Sequence, residues 1–291
     1  MKKVTCFIST FLLIPAFSLC LTSCSSTSNE QEKENSAEEH KEVIFEDDFD
    51  TFDDSKWTKE THEPGWVNQE LQAYAPSQVS VGKDGDRTVL ILTAERKGDQ
   101  ILSGRINSQG KMNFRYGTIE ASIRMPRTAN GLWPAFWMMG DSEKPWPQCG
   151  EIDILEMGEK NGIANGTTET HVNTAIHYGT DMNEGHHQEY HQATMPHSLQ
   201  DGQYHIYRLE WTKEKLAVSI DNTPVYTFDI SPESGRNQYF NDKCYALFNL
   251  AVGGAFTGIT NVNDITALPD GGKAYMYVDW VRATRQTQPK P

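Results

Sequence analysis

The residues best suited to chemistry lie in one short run, Gly150-Glu151-Ile152-Asp153-Ile154-Leu155-Glu156-Met157, which sets three carboxylates among large aliphatic side chains. Glu151 and Asp153 are two apart, so an extended strand points both to one face and Ile152 and Ile154 to the other. Glu156 breaks that alternation. One extra residue, a β-bulge at about Ile154-Leu155, would bring all three acids to the same face. Like charges held close together repel, and at least one of the carboxyls would then keep its proton near neutral pH. An ionised carboxylate beside a protonated one is what glycoside hydrolysis requires, and retaining enzymes hold the pair about 5–5.5 Å apart. A solvated strand face that merely carries acids is the competing reading of these residues alone.

A second run, Gly131-Leu132-Trp133-Pro134-Ala135-Phe136-Trp137-Met138-Met139-Gly140, precedes the acids. Trp133 and Trp137 share strand parity and would stand on one face as flat apolar plates, the kind of surface on which the C–H faces of sugar rings pack. Either indole alone would suit a core as well as a site. Together with the acids they favour a carbohydrate site.

These residues resemble glycoside hydrolase family 16, and within it the laminarinase-like endo-β-1,3(4)-glucanases. The likeness extends in order through Asn68-Gln69-Glu70-Leu71-Gln72, Tyr116-Gly117-Thr118-Ile119-Glu120, Asn249-Leu250-Ala251-Val252-Gly253-Gly254 and Val278-Asp279-Trp280-Val281-Arg282. It implies an all-β, concanavalin A-like jelly-roll sandwich with a carbohydrate cleft on its concave face, and it places this chain in the bulged branch. It also implies roles. Glu151 would be the nucleophile, Glu156 the acid/base, and Asp153 a hydrogen-bonding neighbour that tunes Glu151. Trp133 and Trp137 would line the subsites beside the scissile bond, and Asn68 would bind sugar on the non-reducing side. Arg105 and His177 are further candidates for cleft contacts, and Trp146 either borders the cleft or covers the core. Many members carry a structural calcium; Asp279 matches one ligand position and Glu46 could add an oxygen, carboxylates being suited to that ion. The reaction itself needs no cofactor.

The elements that must position these groups read as strands. Thr118–Met125 alternates Ile119, Ala121, Ile123 and Met125 with polar residues. Thr88–Ala94, Val172–Tyr178, Tyr204–Trp211, Lys215–Ile220, Val225–Phe228, Tyr245–Val252 and Ala274–Thr284 continue the series, with Asp221-Asn222 as a hairpin turn. No stretch of a dozen residues has helical periodicity, so a β-sandwich follows without the family. His186-His187-Gln188-Glu189-Tyr190-His191 offers three histidines, but it lacks the zinc-protease spacing and reads as a loop.

At the N-terminus, Met1-Lys2-Lys3 and the apolar run Val4 to Cys20 form an export signal, and Leu21-Thr22-Ser23-Cys24 resembles a bacterial lipobox. Residues 1–23 would be removed, Cys24 would carry lipid, and the polar tract 24–41 would tether a catalytic domain at 42–287 to the bacterial envelope. An ordinary secretory signal is the alternative. Loss of Lys2 and Lys3 takes the formal charge from −14 to −16. That acidity argues against nucleic acid and anionic lipid as partners and favours a neutral glycan. A monomer is expected. Cys149 and Cys244 could pair in an oxidising compartment, though two buried free thiols are the simpler expectation. A glycan-binding lipoprotein without turnover and an agarose-type galactan hydrolase are the rival functions.

Overall fold

The computed structural model describes residues 41–287. The export signal, Cys24 and nearly all of the tether therefore lie outside the described residues. The first strand opens at Lys41.

Two antiparallel-rich sheets face one another. The ten-stranded sheet is built around Arg87–Lys97, Gly117–Arg124, His205–Trp211, Lys215–Ile220 and Lys273–Gln286. The eight-stranded sheet runs, edge to edge, through His186–Thr194, His171–Gly179, Glu151–Glu156, Leu132–Gly140, Cys244–Val252, Arg105–Asn107 and Thr58–Lys59, with Asn113–Phe114 beside the fifth of these. Alternation decides which side chains enter the space between the sheets. Phe136, Phe248, Ile106, Leu92, Tyr207 and Trp211 fill it and are essentially inaccessible to water. Asp221 and Asn222 both take positive φ, at 48° and 64°, which makes a two-residue hairpin turn.

A separate apolar cluster, Ala135, Trp137, Tyr245 and Leu247 with Met139 packed on it, lies apart from that core. By parity these are the residues on the other face of the eight-stranded sheet, so that face is partly apolar and partly acidic. It is the face that carries the site.

One sequence expectation needs correction. His186–Thr194 is a strand, not a loop, and pairs along its whole length with His171–Gly179. As an edge strand it has one hydrogen-bonding neighbour and is part-buried or exposed along its length, so it lacks the buried alternation that marks inner strands. A six-residue helix, Lys160–Asn165, also occurs; it is capped by Glu159, whose side chain accepts from Asn161 N at 2.5 Å, and ends on left-handed Gly166. It is too short to show periodicity. Cys149 and Cys244 are buried free thiols.

Candidate active site

The strand Glu151–Glu156 contains the bulge. Against Leu132–Gly140, Trp137 pairs with Asp153, while Phe136 pairs with Leu155 and Ala135 with Glu156. On the other side, Ala175 pairs with Asp153 and Asn173 with Glu156, so Ile154 and Leu155 together oppose Thr174 alone. As a result Ile152, Ile154 and Leu155 all enter the inter-sheet core, and the three acids share the opposite face. The energetics favour this arrangement. A regular strand would put Leu155 on the cleft face and forfeit about 2 kcal/mol of burial. It would also drive Glu156 into hydrocarbon at a cost of several kcal/mol, against roughly 1 kcal/mol for a disturbed ladder hydrogen bond. Thr174 Oγ1 donates to the Asp153 carbonyl at 2.6 Å and steadies the bulge. Gly150 leads into the strand at φ 80°, where a Cβ would lie 2.3 Å from the Tyr239 carbonyl oxygen; no other residue fits there.

Each glutamate is held by an indole. Trp133 Nε1 donates to Glu156 Oε1 at 3.0 Å, and Trp146 Nε1 donates to Glu151 Oε2 at 2.9 Å. Trp133 in turn stacks on Phe256, centroids 4.5 Å apart. His177, which pairs with Glu151 across the ladder, places Nε2 3.3 Å from Asp153 Oδ2 and 3.8 Å from Glu151 Oε1. The Asp153 oxygen has no well-aligned hydrogen-bond donor, although it is fully buried. His177 Nδ1 meets His186 Nε2 at 2.9 Å, and His186 packs against Trp146.

Burial dominates the electrostatics. Glu151 is pushed up to about 8 by burial and then by Asp153, with His177 and the Trp146 N–H easing the shift. Burial likewise pushes Asp153 up to about 8. Glu156 is raised as well, by burial first and then by Asp153 and Glu151. Three carboxyls so placed cannot all ionise at neutral pH. Glu151, Asp153 and His177, with ligand atoms within 4.8 Å of one another, could also take a divalent cation.

Further along the same face stands a second cluster. Arg105 is buried; its Nε donates to Glu60 Oε2 at 2.9 Å, and its guanidinium packs on Trp137, Trp66 and Tyr74. Asn107 and His62 also bond Glu60, at 2.6 Å each. Burial alone would raise Glu60, but Arg105 and these partners outweigh it and hold the carboxyl below its ordinary value. Trp66 is 48% exposed and lies flat against His62, centroids 3.4 Å apart. Trp137 Nε1 donates to Asn249 Oδ1 at 2.7 Å, and Asn249 links through Tyr74 to Glu70. Exposed Asn68, at φ 52°, joins this chain through a 3.3 Å bond to Glu70.

The structure thus brings Glu151, Asp153, Glu156, Trp133, Trp137, Trp146, His177, Arg105 and Asn68 onto or beside one sheet face. Glu60, His62, Trp66, Tyr74, Asn249, Phe256 and His186 join them, although the sequence reading assigned them no role. Glu70 and Asn249 lay inside quoted motifs, which was the available signal. At the two positions expected to serve calcium, Asp279 is ion-paired to Arg87 and Glu46 to Arg282, each through one carboxylate oxygen. Neither belongs to a cluster of three or more ligand groups among the described residues.

A β-sandwich that gathers three carboxyls and several aromatic side chains on one sheet face has the groups that a glycosidase uses. Residues 68–281 match Glycosyl hydrolases family 16, and the chain belongs to that family. It is 31% identical to a beta-glucanase from Rhodothermus marinus over 84% of this chain and 86% of that one. Two solved Bacteroides ovatus structures are each 61% identical and cover 83% of this chain and all of theirs. One, with a TM-score of 0.80, is the "mixed linkage glucan PUL (MLGUL) GH16 in complex with G4G4G3G Product". The other, with a TM-score of 0.79, is a family 16 endo-glucanase in complex with G4G3G-2F-DNP.

Proposed function

We propose that this chain is an endo-acting, retaining β-glucanase that cuts mixed-linkage β-1,3-1,4-glucan, with β-1,3-glucan as its second substrate. The observation that carries the chemistry is the bulge that aims Glu151, Asp153 and Glu156 at one face, each glutamate steadied by an indole N–H. Glu151, in its ionised form and held by the Trp146 N–H, attacks the anomeric carbon. Glu156 gives its proton to the departing glycosidic oxygen. A covalent glycosyl-enzyme results, the Glu156 carboxylate then takes a proton from water, and that water releases the sugar with retained configuration. Asp153 keeps a proton and donates it as a hydrogen bond to Glu151, which lowers the repulsion that Glu151 would meet from a second anion.

Endo action is supported by the layout, since the site sheet runs from His186–Thr194 to Thr58–Lys59 with chemistry near its middle. Trp66, Trp137 and the Arg105–Glu60 pair supply stacking faces and hydrogen-bonding edges for sugars on one side of the acids. The preference for mixed linkages draws on the 61% identical Bacteroides ovatus structures. Export and a lipid anchor at Cys24 suit an enzyme that meets a polysaccharide outside the cell.

The test is incubation with mixed-linkage glucan, laminarin and agarose, following viscosity, reducing ends and the anomeric configuration of fresh product by NMR. The expected result is a rapid viscosity drop on mixed-linkage glucan, a slower one on laminarin, none on agarose, and β-configured product. Binding without any release would make the chain a glycan binder, and release from agarose alone would make it a galactan hydrolase.

A further inference from the structure

On the ten-stranded sheet, three groups converge where the connection into strand His205–Trp211 meets the Asp221-Asn222 turn. His197 Nε2 lies 3.4 Å from Asp221 Oδ2, and His205 Nδ1 lies 2.6 Å from the same oxygen. The ligand atoms of His197, His205 and Asp221 all fall within 4.8 Å of one another. His205 is buried, and its other nitrogen, Nε2, faces Asp201 Oδ1 at 3.1 Å. Asp221 Oδ1 is already occupied by the Ile206 N–H at 2.8 Å, which leaves Oδ2 for the two imidazoles. Burial would raise Asp221, yet that N–H and His205 hold it below the ordinary range, so it stays an anion.

A neutral imidazole has one N–H and can satisfy one carboxylate, whereas His205 faces two. A metal on Nδ1 removes the conflict. Nδ1 then gives its lone pair to the ion, Nε2–H donates to Asp201, and the carboxylate–histidine–metal arrangement results. His197, 45% exposed at its side chain, has no burial to hold it here, but its Nε2 is aimed at the same oxygen. Tetrahedral zinc with bonds of about 2.0–2.1 Å separates neighbouring ligand atoms by roughly 3.3 Å. The His197–Asp221 separation already matches, and the His205–Asp221 contact must open by well under 1 Å. Two imidazoles and one carboxylate suit zinc rather than calcium.

We propose that His197, His205 and Asp221 form a zinc site with Asp201 orienting the His205 ring. The bound ion would fasten the inter-sheet connection to the hairpin and stabilise the domain without touching the acids. The rival explanation is an imidazolium at His205 clamped between two carboxylates.

The experiment is calorimetric titration of EDTA-treated, dialysed enzyme with zinc chloride at pH 7.5, paired with thermal melts. One zinc per chain is expected, with Tm rising by about 5 °C or more at a hundredfold excess over Kd. His197→Ala, a change at a half-exposed side chain, should abolish that binding while leaving the zinc-free Tm unchanged. Asp201→Asn should weaken affinity about 10- to 100-fold. A His187→Ala, His191→Ala double variant should bind as the parent does, which separates this site from the histidine-rich edge strand. Absence of binding up to 100 µM zinc, or binding that survives His197→Ala, would overturn the proposal and leave the protonated clamp.

Discussion

Two groups of buried carboxylates share one sheet face and are treated in opposite ways. At Glu60 the acid meets Arg105, Asn107 and His62, and its carboxyl is held below the ordinary range. At Glu151, Asp153 and Glu156 the nearest basic group is the His177 imidazole, and all three carboxyls are raised. The first cluster is compensated and rigid, as a surface that grips neutral sugar needs to be. The second is uncompensated, so protons can be gained and lost during turnover. The difference lies in the placement of one guanidinium, because burial is similar in both clusters.

Substitutions in either cluster test this contrast. Glu151→Gln removes the nucleophile, and kcat on mixed-linkage glucan should fall about 10⁴-fold or more while oligosaccharide affinity measured by calorimetry persists; a variant retaining a tenth of parental activity would contradict the assignment. Glu156→Gln should cost about 10²- to 10⁴-fold on glucan. Aryl glycosides whose leaving group needs no proton should lose much less in the first step, so equal losses on both substrates would argue against an acid. Arg105→Ala removes the guanidinium and leaves the Glu60 carboxylate with only Asn107 and His62 as partners. Chemical denaturation should show a loss of about 3–5 kcal/mol.

The pH dependence of stability should carry opposite signs in the two clusters. Groups raised to about 8, such as Glu151 and Asp153, keep protons in the folded state that the unfolded chain has released above about pH 4. Their contribution is full below that point and is lost as pH rises toward 8. Glu60, held low, contributes above its ordinary range and loses that contribution as pH falls through its folded value. Asp153→Asn should therefore flatten the decline in stability between pH 5 and 8, by on the order of 2 kcal/mol in denaturation curves collected across that range. An unchanged slope would mean that the acids ionise freely. The smallest effect belongs to Trp66→Ala, which should weaken oligosaccharide binding by about 1 kcal/mol with kcat nearly unchanged.

The acids were legible in the sequence because their alternation with isoleucine fails at one place, and the failure itself located the bulge. Inner strands were legible for the same reason, each having a buried parity. The edge strand His186–Thr194 was not, since an edge with solvent nearby imposes no hydrophobic period. The Glu60 cluster was hidden for another cause. Its residues come from the segment just after the two-residue strand Thr58–Lys59, the turn around Trp66 and the three-residue strand Arg105–Asn107, all too short to carry a pattern. Arg105 could be proposed as a cleft residue, but nothing in its neighbours announced the carboxylate 45 positions earlier that neutralises it.

The insertion between Asp153 and Glu156 also constrains how this enzyme can change over generations. Losing Ile154 or Leu155 would leave the final glutamate four positions after Glu151, so a regular strand would keep all three acids on one face and a single deletion there would remove the bulge without turning the proton donor inward. Deleting Ile152 would separate Glu151 from Asp153, and deleting Asp153 would remove an acid. A change of length in this strand is therefore confined to that one place, while the rim of the groove, built from short turns, stays free to vary.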